Sequence, residues 1–524
     1  MATLTNNSNN NNEQFRIGYV TDVEGNLDFF QQYVELSNVL KYSNSTKNKL
    51  ILKDGCYFVH GGDIVDKGNG DIRLCRQLVD LKKRYPKRVF LLVGNRDLNK
   101  FRFSAELSDE DIARDVTSIP GPHWDPKAPT IYEYLNEMAK ELNIKNVNEL
   151  NTKVNRLKYM LKHTLGCPST FEFRREELSI MQKQSIENIT DEDVLKSFIY
   201  EITNEEGSLF QYIRNGTVAA RIGNTLFVHG TIDKINMKYV PQHIKFENAK
   251  SPQKPAQIVE DLDEWINELN KYLQEGILDF KRRPNWDQAR STRGGESLMA
   301  LQNRSASWGR SVIVNCYGDG GNISSESALA YLNDEDRIKR SKGDPLAFEG
   351  VSSDPRDKEV SNWLLKYNIQ RVLVGHKPCG DSPAVCNSSY TGVEICCSDT
   401  SFSYFGNRES FSNTADVKQG TPPRGCAVSS TEVVGNSKTD NRLILHGRFQ
   451  DGVEYKCEFN RLYDKNCTDK SIGDSLLGKE IKDGWWVKAS YDTKNGTIYH
   501  CSTGNGRNVK YKRCTRKEIE QSML

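Results

Sequence analysis

The chain has 524 residues, 27% of them charged and 37% hydrophobic, with a formal net charge of +2. That length can bury a large core and more than one folding unit. The near-neutral charge gives no overall reason to expect nucleic acid or an acidic membrane as partner, and no apolar run approaches the roughly 20 residues that cross a bilayer.

Residues 1–13 are Asn-rich and polar. They lack the basic-then-apolar pattern of a signal peptide and read as a disordered tail. The 13 cysteines include no C-x-x-C pair, which points to reduced thiols packed as small hydrophobes and to a cytoplasmic location. From residue 14 the pattern alternates. Arg16 to Thr21, Cys56 to His60 and Val89 to Val93 read as strands, and Leu27 to Leu40 and Ile72 to Tyr85 as helices. Such a βαβ rhythm implies strands sandwiched between helices.

An insertion over about 104–215 follows, with helices expected at Ile131–Leu142, Val147–Thr164 and Asp191–Thr203; prolines 120, 122, 126 and 129 mark its entry as a loop. A second insertion, about 233–303, has its clearest helix at Ala256–Leu273. A core strand at Thr225–Val228 lies between the two insertions, and after the second the core resumes at Ser311–Tyr317 and again from Trp363 to Ser401, with a strand at Val372–Val374. Residues 406–423 read as a surface loop and Cys426–Val434 as a last core strand, which closes a domain of residues 14–435. From 441 to 515, short alternating segments with Gly-containing turns read as a small β domain.

Five segments carry residues able to hold a metal, and they follow the strands in order: Asp22-Val23-Glu24-Gly25-Asn26, Gly62-Asp63-Ile64-Val65-Asp66-Lys67-Gly68, Gly94-Asn95-Arg96-Asp97, Val228-His229-Gly230 and Gly375-His376-Lys377-Pro378. Carboxylates, one Asn and two His at buried strand tips are the parts of a two-metal hydrolytic site. In such a site a shared carboxylate holds two ions roughly 3.5–4 Å apart, so that they clamp one phosphate and activate one water. Asp63, after two glycines, is the natural bridge. The second ion takes Asn95, His229 and His376, and the first takes Asp22 and Glu24, with Asp399 a further candidate on its shell. His60 lies inside a strand and reads as a core histidine. Gly318-Asp319-Gly320-Gly321 lacks the Lys-Ser/Thr of a phosphate loop. Arg293, Arg304 and Arg310 are candidates for lining a pocket.

These segments resemble the calcineurin-like metallophosphoesterases, whose pattern is D-x-H, G-D-x-x-D-x-G, G-N-H-[DE], [VA]-H-G and G-H-x-H or a single His. The resemblance covers roughly 14–105, 217–233 and 365–402, and is nearest to a eukaryotic group with D-x-E-G-N and G-N-R-D motifs. It implies an α/β fold: a four-layer sandwich, here with helical caps and the small C-terminal all-β domain. It also implies hydrolysis of phosphoester or phosphoanhydride bonds, by water activated between two divalent ions.

Three positions depart from the pattern. Glu24 replaces a His, which makes the first ion site all-oxygen and favours Mn²⁺ or Mg²⁺. Arg96 replaces the His used as general acid. A guanidinium does not release its proton near neutral pH, but it clamps phosphate in a fork. Asp97, the partner of that His, is expected to pair with Arg96. Pro378 replaces a second His that many phosphodiesterases have. Lys67 matches the phosphate-binding Arg of phosphoprotein phosphatases, and Arg102 is a second phosphate candidate. The expected substrate is a phosphorylated small molecule or a nucleotide, with a phosphoprotein as a further option and neither membrane nor nucleic acid indicated. The rival reading is a catalytically impaired scaffold or binding protein on the same fold.

Overall fold

The computed structural model describes residues 15–119, 121, 128–232, 236–240, 257–288, 293–299, 358–387, 393–400, 427–459, 476–503 and 510–523. The expected tail at 1–13, the strand at 311–317, the loop at 406–423, the 318–321 glycine cluster, Arg304 and Arg310 lie outside these residues.

In chain order the strands are β1 (Phe15–Val20), β2 (Leu40–Tyr42), β3 (Leu50–Leu52), β4 (Cys56–His60), β5 (Val89–Leu91), β6 (Ala219–Ile222), β7 (Thr225–Val228), β8 (Tyr239–Val240), β9 (Gln257–Ile258), β10 (Arg371–Val374), β11 (Ala384–Asn387), β12 (Glu394–Cys397), β13 (Val428–Gly435), β14 (Asn441–Arg448), β15 (Glu454–Phe459), β16 (Glu480–Ile481), β17 (Trp485–Thr493), β18 (Gly496–Thr503) and β19 (Lys510–Thr515). One six-stranded sheet runs β15-β14-β13-β1-β4-β5 and a five-stranded sheet runs β11-β12-β10-β7-β6. Within them β1, β4 and β5 are mutually parallel, as are β7, β10 and β12.

The inner faces of the two sheets meet through Ile17, Tyr19, Val59, Leu92, Ala220, Phe227, Leu373, Val385, Cys396 and Val433. Each large side chain so buried contributes roughly 1.5–3 kcal/mol. Alternate residues face outward: Phe58 and Leu91 pack in a second cluster with Phe30 and Tyr33 of the helix Leu27–Leu36 and with Leu74 and Leu78 of the helix Asp71–Arg84. The fold is thus a mixed α/β sandwich of two sheets with helices outside, followed by an all-β C-terminal region. Among the described residues no helix is long and apolar enough to cross a membrane. Cys56, Cys75, Cys167, Cys379, Cys396, Cys397, Cys457 and Cys501 are free and buried, and Cys514 is free and half-buried.

Three expected helices differ in the structure; the one over Val147–Thr164 is broken at Asn151–Thr152, where Thr152 caps a helix that starts at Lys153, and two others shift their boundaries for local reasons. The first helix stops at Leu36 rather than Leu40, because Ser37 turns extended and its hydroxyl accepts the Val39 and Leu40 N–H groups, releasing Leu40 to pair with Leu52. The helix expected at Ala256–Leu273 instead spans Leu262–Arg282. Asp261 caps its start by accepting the Asp263 and Glu264 N–H groups at 3.0 Å each. Its apolar repeat runs on through Tyr272, Ile277 and Phe280. The β region expected from 441 also divides differently. β14 and β15 hydrogen-bond onward from β13 and complete the six-stranded sheet, while the strands with a sheet of their own, β16-β17-β18-β19, start at Glu480. Turn residues mark where strands end but not which sheet they join.

The helical insertion is fastened to the core beside the strand tips. In its helix Thr170–Gln182, the Thr170 hydroxyl donates to the Asp66 carbonyl, Arg174 pairs with Asp71 at 3.1 Å, and Glu177 accepts the Ile72 and Arg73 N–H groups at 3.1 and 3.0 Å. A carboxylate from one element thereby satisfies the free N–H groups that open another.

Candidate active site

All five candidate metal-ligating segments leave the carboxyl ends of parallel strands: Asp22 after β1, Asp63 after β4, Asn95 after β5, His229 after β7 and His376 after β10. The sheets therefore deliver them to one edge. The backbone turns sharply there. Asp22, Glu24, Asp63 and His376 hold φ of 52°, 51°, 52° and 69°, and Asp66 holds 117°. Non-glycine residues in this region cost stability, and such strain gathers where function over-determines the geometry. Space is equally tight: a Cβ on Gly94 would lie 2.1 Å from Asp63 Oδ1.

The ligand atoms of Asp63, His229 and His376 all lie within 4.8 Å of one another. His229 is fully buried, and its Nδ1 bonds the Gly61 carbonyl at 2.8 Å. That bond turns Nε2 toward Asp63 Oδ1 and Asn95 Oδ1, each at 3.4 Å. The His376 ring meets the His229 ring edge-on, with centroids 5.2 Å apart. Burial works against a charge on His229, yet Asp63 and Asp22 raise its pKa to about 10. Burial would likewise raise the Asp63 carboxyl, but His229, Arg96 and His376 hold it well below the usual carboxylate range. The cluster thus draws in positive charge, and one carboxylate with two imidazoles suits a divalent ion of intermediate hardness.

Of the residues expected around a first ion, Asp22 and Glu24 hold other partners, while Asp399 Oδ1 is buried with no hydrogen-bond partner among the described residues. Asp22 Oδ2 accepts the Thr21 hydroxyl at 2.5 Å and the His376 N–H at 2.9 Å. Burial, with Asp63 nearby, raises its carboxyl to about 6. Glu24 Oε1 lies 3.0 Å from Lys67 Nζ and 2.8 Å from Arg96 Nε. Asp399 is 2% exposed, and burial together with Asp22 pushes its carboxyl well up.

Arg96 and Asp97 do not pair, contrary to the expectation from sequence. Neighbours on a helix point in different directions. Asp97 turns inward, accepting the Gly94, Asp63 and Ile64 N–H groups at 2.8, 3.0 and 2.8 Å, so it fixes the backbone that presents Asp63. Burial, with Asp63 adding to it, raises its carboxyl to about 7. Arg96 reaches Glu24, Asp63 at 3.6 Å and Asp66 at 3.2 Å. Arg102 is held in a fork by Glu106, both contacts at 2.8 Å, and Arg293 joins the same carboxylate at 2.9 Å. His60 is a core residue, bonded at 2.7 Å to the Tyr212 hydroxyl, and burial lowers its pKa to about 3.

Sequence reasoning gave no role to Lys100, which is 2% exposed and lies 2.7 Å from Asp66. The available signal was its place four residues after Arg96, one helical turn on, where its ammonium also bonds the Arg96 carbonyl at 2.8 Å.

A second fully buried lysine braces the loop after His376. Lys488 of β17 donates to the Cys379 and Ser382 carbonyls, the latter at 2.5 Å. His500 Nε2 meets Asp381 Oδ1 at 2.9 Å, and the Asp381 N–H donates to the Tyr511 hydroxyl at 3.0 Å. The C-terminal sheet thus grips the residues that follow His376.

Residues 15–165 match the family described as calcineurin-like phosphoesterase. No curated protein matches the sequence. Among solved structures, a cold-active protein tyrosine phosphatase is 13% identical, with TM-score 0.36, covering 86% of this chain and 80% of that one. A cold-active protein-tyrosine phosphatase of a psychrophilic Shewanella is 13% identical, with TM-score 0.34, covering 84% and 80%. A protein serine/threonine phosphatase from Saccharomyces cerevisiae is 12% identical, with TM-score 0.32, covering 84% and 81%.

Proposed function

We propose that this chain, residues 15–165 of which match the calcineurin-like phosphoesterases, is a metal-dependent hydrolase of phosphoester or phosphoanhydride bonds. The observation that carries the reading is the convergence of Asp63, His229 and His376 from three different strand ends. These three residues, with the Asn95 carboxamide beside them, would hold the ion. A divalent ion in such a site lowers the pKa of a water and neutralises charge on a phosphoryl oxygen.

The chain's own residues supply the rest. Asp97 sets the backbone of Asp63, the Gly61 carbonyl sets the His229 ring, and Asp22 holds the His376 N–H. Arg96, which reaches Asp63 and Glu24, and Lys67, which pairs with Glu24, supply two fixed cations that would stabilise negative charge developing on a phosphoryl group. Arg96 cannot act as a general acid, since its proton is held still more tightly beside these carboxylates. Substrates with good leaving groups fit this site: an aryl phosphate, or a nucleotide whose leaving group is itself a phosphate. The helical insertion fastened at Asp66 and Asp71 supports an enclosed pocket and a small or medium substrate. Among metals, Mn²⁺ accepts both carboxylate and imidazole and is the first to supply.

The test is turnover of an aryl phosphate, an aryl phosphodiester and a dinucleoside polyphosphate with Mn²⁺. Wild type should hydrolyse at least one, and Asp63→Asn and His376→Ala should each lose about 100-fold or more of that rate. No metal-dependent turnover of any of the three would sink the enzyme reading and leave a binding protein on this fold.

A further inference from the structure

The two ion positions expected from the sequence are not equivalent. One is a gathered set of ligand atoms from Asp63, His229 and His376. At the other, the carboxylate that distinguishes it already holds two side-chain cations, Lys67 and Arg96. Both cations are well shielded, at 13% and 16% side-chain exposure. Neither is loosely placed. Arg96 is tied on its far side to Asp66, whose carboxylate is also held by Lys100, and its own backbone N–H donates to Asp63 Oδ1 at 2.8 Å. The Lys67 backbone N–H donates to the Glu24 carbonyl at 2.7 Å, which fixes that segment against Glu24.

We infer that this centre takes a single divalent ion, at Asp63, His229 and His376, and that the Arg96 guanidinium and Lys67 ammonium replace the second. The inference rests on the reading of the site given above and refines it. Two monovalent side-chain cations carry the same total charge as one divalent ion. Both contacts fall on Glu24 Oε1, so an ion taken at Oε2 would come in alongside the two cations. They would then remain beside a dication, in a site too buried for water to screen the repulsion fully.

The exchange has a chemical consequence. An ion binds phosphate oxygens from any direction, whereas guanidinium and ammonium bind through directed N–H bonds. The half of the phosphate facing Glu24 is therefore recognised by hydrogen-bond geometry. Asp22, released from a ligand's role, becomes a positioning residue through the His376 N–H.

The experiment counts ions on the full chain. Metal-free protein is dialysed against Mn²⁺, the bound metal is measured by mass spectrometry, and the electron paramagnetic resonance spectrum is recorded. The expected result is one Mn²⁺ per chain with the six-line signal of an isolated ion, lost in His376→Ala. The paired change Lys67→Ala and Arg96→Ala should raise the count to two and bring in the spectrum of an exchange-coupled pair. Arg96→Gln with Lys67→Gln replaces it if circular dichroism shows the alanine form unfolded. Two coupled ions in wild type would overturn the inference while leaving the hydrolase reading intact. No bound ion, together with no turnover, would overturn both. A wild type with one ion whose cation variants still take only one would overturn the claim that the cations exclude the second.

Discussion

Replacing Lys488 by Met tests whether the C-terminal sheet holds the candidate site together. Met fills nearly the same volume without the charge. Two hydrogen bonds from an ammonium to buried carbonyls are lost, those to Cys379 and Ser382. Bonds to a charged group contribute about 1.5–3 kcal/mol each, or roughly 3–6 kcal/mol together. Removing a buried ammonium also removes its desolvation cost, which offsets part of that loss. The expected net destabilisation is about 2–4 kcal/mol. The freed carbonyls lie in the loop that begins at His376, so the cost falls on the position of that candidate ligand. Urea unfolding followed by the fluorescence of Trp485 and Trp486, which sit in the same strand, gives the stability. Calorimetric titration with Mn²⁺ gives the affinity, expected to fall about tenfold as for other distant supports of a metal ligand. An unchanged urea midpoint with unchanged Mn²⁺ affinity would refute the bracing role.

Two further outcomes are expected. Burial would raise the Glu432 carboxyl, but His446, the Asn38 N–H and Arg16 outweigh it and hold its pKa at about 2. Because the folded value is depressed, this contribution is complete above the unfolded value of about 4.3 and is lost as pH falls toward 2, to the extent of about 3 kcal/mol. Urea midpoints should therefore fall more steeply with acid in wild type than in Glu432→Gln across that window; parallel curves would refute it. Arg174→Ala leaves the buried carboxylates of Asp71 and Glu177 short of a cation, with Arg73 still serving the latter. The expected cost is about 3 kcal/mol, with faster hydrogen exchange across the helix Thr170–Gln182. Exchange at the wild-type rate would refute the fastening.

The parallel strands were legible because buried strands of this kind read as continuous apolar runs, as in Cys56–His60 and Arg371–Val374. The segments that follow them were legible because Gly, Asp, Asn and His at strand tips are unusual there. What each side chain does at the site was less so. Glu24 meets Lys67 and Arg96 only after β1, β4 and β5 are aligned, and spacing in the sequence carries no such information. Adjacency misled in the case of Asp97, whose partners are backbone N–H groups from two segments. It misled also for Arg102, whose fork is filled by Glu106 one helical turn later. The sheet membership of β14 and β15 was hidden for a similar reason: alternation gives a strand two faces but names no neighbour.

The placement of β13 bears on how the protein is made. β1 is flanked by β4 on one side and by β13 on the other, so that Phe15 lies opposite Gly435. The loop after His376 is gripped by residues as late as Tyr511. Synthesis from the ribosome is slow compared with the closing of local contacts, and domains settle as their partners emerge. Here every candidate ligand has emerged once Asp399 is made, while the strand that completes the first sheet and the residues that steady His376 are still to come. The nascent chain thus carries a carboxylate- and histidine-rich edge that is exposed before it is built. Cellular chaperones, rather than any local signal in the sequence, are what such an interval calls for.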